Sequence, residues 1–152
     1  MAFGTVAQAD RPGPDRITMP LATNHLNSAA RHRMNETNPG LALTWDAAPL
    51  DVTVGVVRNS FSEPAPFITL SRDFWRGETC RAAAFIGTAH YPSLRNRTSY
   101  DIKGWIPLGG LHLECGFAFV QIMPGSSFMD KAPNDSHADA ILVFGLTFDL
   151  SD

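Results

Sequence analysis

Two side chains, His25 and Ser60, are of the types that could carry out chemistry on an ester. Ser60 closes the step Arg58-Asn59-Ser60, which follows the apolar run 50–57. A hydroxyl becomes a nucleophile when a base takes its proton, and histidine can serve as that base. The same step also occurs in ordinary turns, because Asn and Ser side chains satisfy nearby backbone groups. The residues alone leave both interpretations open.

Few other residues suggest chemistry. Asn35 and Glu36 could orient His25 or bind a head group, and a solvated loop accounts for them equally well. The remaining histidines have no ligand spacing, and the sequence has no phosphate-binding, dinucleotide, nucleophile-elbow or zincin motif. Cys80 and Cys115 lack metal-site spacing, and we interpret them as two separate buried thiols rather than a disulfide. We therefore expect no metal or cofactor.

Length and composition indicate one globular domain. The chain has 152 residues, 44% of them hydrophobic and 18% charged, with a formal net charge of −3. We predict an N-terminal extension over 1–16 and a single domain over 17–152. No basic patch suggests nucleic acid as a partner. No segment has the roughly 18 to 20 continuous apolar residues of a membrane helix, although a barrel strand needs only about 9 to 11.

The elements that would position His25 and Ser60 are strands. Turn clusters rich in Pro, Gly, Asn and Ser separate short alternating or continuous apolar runs. The pattern predicts an all-β fold, a small antiparallel up-and-down β-barrel of about eight strands. The runs cover residues 17–23, 41–45, 50–57, 67–75, 82–91, 102–108, 111–123 and 138–150.

Alternation is clearest in the last strand. Large apolar side chains occupy the even positions 142–150, while the odd positions 141–149 are smaller and become polar. This pattern is typical of a narrow barrel with its large side chains toward lipid, and equally of a soluble barrel with those side chains inward. Periodicity does not distinguish the two.

The N-terminus contains Ala7-Gln8-Ala9 before Asp10, which is similar to the cleavage end of a secretory signal. The charged and apolar parts of such a signal do not precede it. Either the reading frame begins further upstream or the triplet is coincidental.

Several stretches, taken in order across about residues 17–150, resemble the outer-membrane lipid A palmitoyltransferase family. Members of this family are eight-stranded barrels that move an acyl chain from a phospholipid to lipid A. The family has a proline five residues before its catalytic histidine, an Asn-Glu-Arg-Pro stretch, a Lys-Asp-Ser strand end, an Ile-Pro-Leu-Pro strand and a Tyr-Ile-Pro-Gly stretch. The matching stretches here are 20–25 (PLATNH), 35–40 (NETNPG), 58–60 (RNS), 105–110 (WIPLGG), 121–125 (QIMPG) and the closing 142–150.

The resemblance implies that His25 is the base and Ser60 the reacting hydroxyl, both at the outer rim. Asn59 occupies the position of the family's Asp. An Asn can fix a histidine tautomer but has no charge to stabilise the imidazolium. In serine proteases the corresponding Asp-to-Asn change lowers kcat roughly 10⁴-fold. We therefore expect impaired activity.

The resemblance also implies sites for lipid. Prolines interrupt strand ladders, and in the family they mark lateral openings, although ordinary strand ends explain Pro20, Pro39, Pro107 and Pro124 equally well. Ser71 matches a glycine on the floor of the acyl pocket, and a larger residue should shorten the accepted chain. The implied partners are phospholipid and lipid A, and the implied location is the outer membrane.

The alternative is a non-enzymatic soluble barrel that binds protein partners, such as a phage virion or envelope component, located in the cytoplasm or the virion. Three features favour it: Asn59 in place of Asp, the incomplete signal, and the ending 148–152, which lacks the family's terminal aromatic residue. Arg72 and Asp73 also favour it, because one of two neighbours in a strand must face outward. A charge at the bilayer midplane costs roughly 2 to 4 kcal/mol.

Overall fold

The protein forms a closed barrel of eight antiparallel strands in a computed structural model that describes residues 13–26, 31–32, 34–94, 102–124 and 140–150. The predicted all-β, up-and-down fold is confirmed. The strands are β1 (Arg16–His25), β2 (Gly40–Trp45), β3 (Asp51–Arg58), β4 (Pro64–Arg76), β5 (Cys80–His90), β6 (Trp105–Cys115), β7 (Ala118–Pro124) and β8 (Ala140–Asp149).

A short 3₁₀ turn, Pro92–Leu94, follows β5. Within the described ranges, no helix is long and apolar enough to cross a bilayer.

Each strand pairs with its neighbour in sequence, and β1 pairs with β8 to close the barrel. Because every pairing is antiparallel, odd-numbered strands end where even-numbered strands begin. We call that end of the barrel the rim and the opposite end the base. The strand-connecting segments 46–50, 77–79 and 116–117 lie at the base.

The predicted break between the runs 102–108 and 111–123 is wrong. One continuous strand, β6, crosses Gly109 and Gly110, and the chain turns at Gly116, whose φ is +59°. Gly110 is a close-packing position rather than a turn. A Cβ there would lie 2.1 Å from the carbonyl oxygen of Ile122 and 3.1 Å from the ring of Phe85.

The large apolar side chains face outward. In β8, Phe144 and Phe148 are exposed, whereas Val143, Gly145 and Thr147 are buried toward the lumen. Phe85, Ile106 and Phe119, on β5, β6 and β7, are buried instead. About half of the exposed large apolar side chains form an outer belt: Leu41, Val54, Val56, Ile68, Leu70, Ile86, Leu111, Leu113, Ile122 and Phe144.

Charged and polar groups fill the lumen toward the base. Arg16 contacts Asp46 at 2.6 Å and Asp51 at 3.2 Å. Arg81 contacts Glu114 at 2.7 Å. His112, to which the sequence assigned no role, lies 3.2 Å from Glu114, and its ring stacks on Phe119.

The two cysteines form a disulfide, so the interpretation as separate thiols is wrong. Cys80 begins β5 and Cys115 ends β6, and the two residues are paired directly across the ladder. The turn at 116–117, which the predicted run 111–123 crosses without a break, brings them opposite each other.

Candidate active site

His25 and Ser60 meet at the rim. The Oγ atom of Ser60 lies 3.2 Å from Nε2 of His25. His25 ends β1, and Ser60 lies in the turn after β3. Since both strands are odd-numbered, they finish at the same end of the barrel, which brings together two residues 35 positions apart. This is the contact that a hydroxyl nucleophile and its base require.

Glu36 supplies a carboxylate on the other side of the imidazole. Its Oε1 lies 3.8 Å from Nδ1 of His25 and accepts a hydrogen bond from the backbone N–H of His25 at 3.1 Å. With its proton on Nδ1, facing this carboxylate, the ring leaves Nε2 to accept from Ser60. The backbone N–H of Asn35 donates to the Ser60 carbonyl at 2.9 Å, which ties the two loops together.

The imidazole of His25 is removed from water. His25 is 1% exposed. Burial lowers the pKa of His25, and the neighbouring charge of Glu36 opposes that shift in part. The ring is therefore neutral at neutral pH and able to take a proton.

The Asn59 side chain makes no hydrogen bond to His25 among the described residues, although a residue at this position was expected to fix the histidine tautomer. Its Oδ1 accepts hydrogen bonds from the backbone N–H groups of Phe61 at 2.9 Å and Glu63 at 3.0 Å, so the side chain closes its own turn. The carboxylate that faces His25 comes from Glu36 instead. From the sequence, Asn35 and Glu36 were equally candidates for orienting His25, for binding a head group or for a solvated loop. The conformation of a loop has no sequence period, so the pattern could not indicate which side chain faces the imidazole.

A cavity of about 140 Å³ extends from Ser60 down the lumen. Ser60, Asn59 and Phe67 line it near the rim, and charged residues such as Arg81 line it toward the base. Of the predicted lipid-contacting residues, Pro20 and Ser71 line this cavity, whereas Pro39 and Pro124 are exposed and do not.

The β1–β2 ladder has a short break beside Pro20. It covers Arg16–Thr18 and resumes as a single bridge between Ala22 and Thr37. Between these points Gly40 and Leu41 pair with β3 and have no described partner on β1. Pro20, opposite this break, lies at a bulge of β1.

A second break separates β6 from β7. Their described pairs begin at Leu111 with Ile122, while Met123 and Pro124 continue to pair with β8. Leu108 and Met123 lie on the two sides of this break, and both line the cavity. Pro107 and Pro124 lie close to it, as Pro20 and Pro39 lie close to the first break.

The contact between Ser60 and His25 thus lies at the rim end of a partly apolar cavity that Ser60 lines, and the Glu36 carboxylate lies 3.8 Å from the imidazole. This set of groups can transfer or hydrolyse an acyl group.

A scan against models of known protein families and a search of curated protein sequences both found no match for this chain.

Proposed function

We propose that this barrel is an outer-membrane acyltransferase similar to the lipid A palmitoyltransferases. It would move an acyl chain from a phospholipid to lipid A or a related acceptor. The observation that carries the proposal is the contact between Ser60 and His25 at the mouth of the cavity. The ordered resemblance at 20–25, 58–60 and 105–110 gives the substrate class.

The proposed reaction uses the described groups. His25 Nε2 takes the proton of Ser60 while Oγ attacks the ester carbonyl of a phospholipid. The tetrahedral intermediate collapses, the bond to the glycerol oxygen breaks, and that oxygen leaves with the proton from His25. The acyl group is then on Ser60. A hydroxyl of the acceptor gives its proton to His25, attacks the acyl carbon and releases Ser60, which regains the proton.

The outer belt supports a location in a membrane. Exposed aromatic side chains at or near the base add to it: Phe74, Trp75, Phe117 and Phe148. Aromatic girdles mark the interfaces of membrane barrels. We assign the outer belt to the bilayer and leave the rim, with His25, Glu36 and Ser60, outside it.

Arg72 is the observation that favours a soluble barrel. It is exposed on the outer face of β4, while Asp73 lines the cavity. Arg72 lies two residues from Phe74 on that face, four residues before β4 ends at the base. A charge costs about 0 to 1 kcal/mol near the interface and about 2 to 4 kcal/mol at the midplane, so the depth of Arg72 decides how strongly it counts against insertion.

Ser71 concerns the length of the acyl chain that the cavity would accept. It lines the cavity, and Asp73 and Arg81 lie among the charged residues that line the same lumen. Removing charged groups from water without compensation is costly, so an acyl chain is expected to stop short of them. We expect a preference for chains shorter than sixteen carbons, measured by acyl-length profiling. A clean preference for sixteen carbons would contradict this expectation.

The first experiment is partitioning of the full chain between buffer and detergent, with the heat-modifiable gel shift of a closed barrel as readout. We expect the protein to require detergent and to shift on heating. A protein that is soluble and monodisperse without detergent would refute the membrane proposal and favour the non-enzymatic alternative with protein partners.

The second experiment measures acyl transfer from a labelled phospholipid to lipid A in mixed micelles. We expect Ser60→Ala and His25→Ala to abolish transfer. Ser62→Ala is the matched control, because this hydroxyl lies on the same turn and contacts Asn35 rather than His25. Full activity of Ser60→Ala, or no transfer by the wild-type protein with either water or lipid A as acceptor, would refute the proposed reaction.

A further inference from the structure

The amide of Asn59 has a fixed orientation. Its Oδ1 accepts from two backbone N–H groups, those of Phe61 and Glu63. Exchanging the oxygen and nitrogen of this amide would set a donor against both N–H groups. The backbone is held as well, since the Asn59 N–H donates to the Glu63 carbonyl at 2.8 Å and the Ser62 N–H donates to the Asn59 carbonyl at 2.9 Å.

The other end of the amide has no partner. Nδ2 of Asn59 is buried without a hydrogen bond among the described residues, and Asn59 is only 2% exposed. Buried donors are almost always paired, because an unpaired one loses its hydration without return. Asn59 adjoins Ser60 in the chain, and both line the cavity. Asn59 thus carries a rigid, unused N–H donor and directly precedes the candidate nucleophile in the chain.

We propose that Nδ2 of Asn59 donates to the oxyanion formed when Ser60 attacks an ester carbonyl. This inference rests on the proposed function. As the Oγ–C bond forms, the carbonyl π electrons move to oxygen, and the proton of Ser60 goes to His25. Asn59 neither gains nor loses a proton. When the carbonyl re-forms, the leaving oxygen takes the proton from His25, and the hydrogen bond from Asn59 weakens.

This role reverses the expectation based on the missing Asp. If Asn59 were a weakened histidine-orienting group, Asn59→Asp would raise the rate. If Asn59 is the oxyanion donor, Asn59→Asp replaces the donor by a carboxylate oxygen while the other oxygen still closes the turn. Loss of one oxyanion donor lowers kcat roughly 10²- to 10³-fold, and KM should change little.

The test uses the full chain in detergent micelles and two readouts. One is the rate at which a fluorophosphonate labels Ser60, and the other is kcat and KM on a phospholipid. The control is Asn24→Asp, which makes the same chemical change one residue before His25 at a position that does not line the cavity. We expect Asn59→Asp to lose roughly 10²-fold or more in both labelling rate and kcat, and Asn24→Asp to stay close to wild type.

The outcomes separate the two claims. A wild-type protein that neither labels nor transfers acyl groups would overturn the proposed function. A wild-type protein that labels, with Asn59→Asp equally fast or faster, would overturn only the role of Asn59. Should Asn59→Asp lack the heat-modifiable shift of a folded barrel, the wild-type protein supplies the test. The side-chain amide protons of selectively labelled Asn59 should shift downfield in the NMR spectrum of the phosphonate adduct, and an unchanged resonance would overturn the role.

Discussion

Replacing Glu36 by Gln tests whether its carboxylate assists His25. The two side chains face each other with Nδ1 and Oε1 3.8 Å apart. Unit charges at that distance attract by about 4 kcal/mol at an effective dielectric constant of 20, and by about 1 kcal/mol in bulk water. The Glu36 side chain is 36% exposed, so solvent screening places the imidazolium stabilisation at about 1 to 3 kcal/mol. That corresponds to roughly a 5- to 150-fold loss of rate.

The assay is the pH profile of Ser60 labelling by a fluorophosphonate. Glu36 raises the pKa of His25 against the effect of burial, so its removal should lower that pKa further. We expect Glu36→Gln to lower the plateau and move the acid limb to lower pH, because the neutral ring persists in more acid solution. Glu63→Gln is the control, since it removes the same charge at the rim from a residue that contacts Ser93. An unchanged plateau and acid limb in Glu36→Gln would refute this account.

Two further predictions concern the side chains at the base of the barrel, the end opposite His25. Changing both Cys80 and Cys115 to Ser should lower the free energy of unfolding by about 3 to 4 kcal/mol, because the disulfide closes a loop with a sequence separation of 35. We expect the variant to have the same denaturation midpoint as the reduced wild-type protein. A midpoint equal to that of the oxidised wild-type protein would contradict this prediction. Arg81→Met alone should destabilise by up to about 3 to 5 kcal/mol, because it leaves the buried Glu114 with only His112 beside it. Adding Glu114→Leu should recover most of the loss, and equal losses in the single and double variants, measured by urea unfolding, would show that the pair is not the cause.

The strands were predictable from the sequence because alternation is a local property. It identified the two faces of β8 correctly, but it carries no information about which face is outside. The meeting of His25 with Ser60 also follows from simple geometry, because His25 ends one odd-numbered strand and Ser60 lies in the turn after another. Glu36 did not follow, since its position depends on a loop conformation.

The cysteine pairing shows how one wrongly placed strand boundary hides a contact elsewhere in the barrel. Glycines at 109–110 are ordinary turn residues by type, and the sequence gives no sign that Gly110 is needed for contact with Phe85 and Ile122 across the lumen and ladder. With one predicted run ending at 108 and the next covering 111–123, Cys115 falls inside a strand and away from Cys80. With the turn at Gly116, the register places the two residues directly opposite each other.

If the barrel lies in a bilayer, as proposed, the two ladder breaks lower the free-energy cost of moving a molecule between its lumen and the lipid. Unzipping a complete ladder inside a bilayer would expose backbone donors and acceptors to hydrocarbon at several kcal/mol for each group. Among the described residues, such pairs are already missing at the breaks beside Pro20 and Pro124, and proline has no N–H to leave unsatisfied. Passage there would separate fewer ladder pairs than elsewhere, while the disulfide and the ion pairs hold the strands together at the base. The barrel thus combines a cross-linked base with a wall whose described ladders are interrupted on two sides.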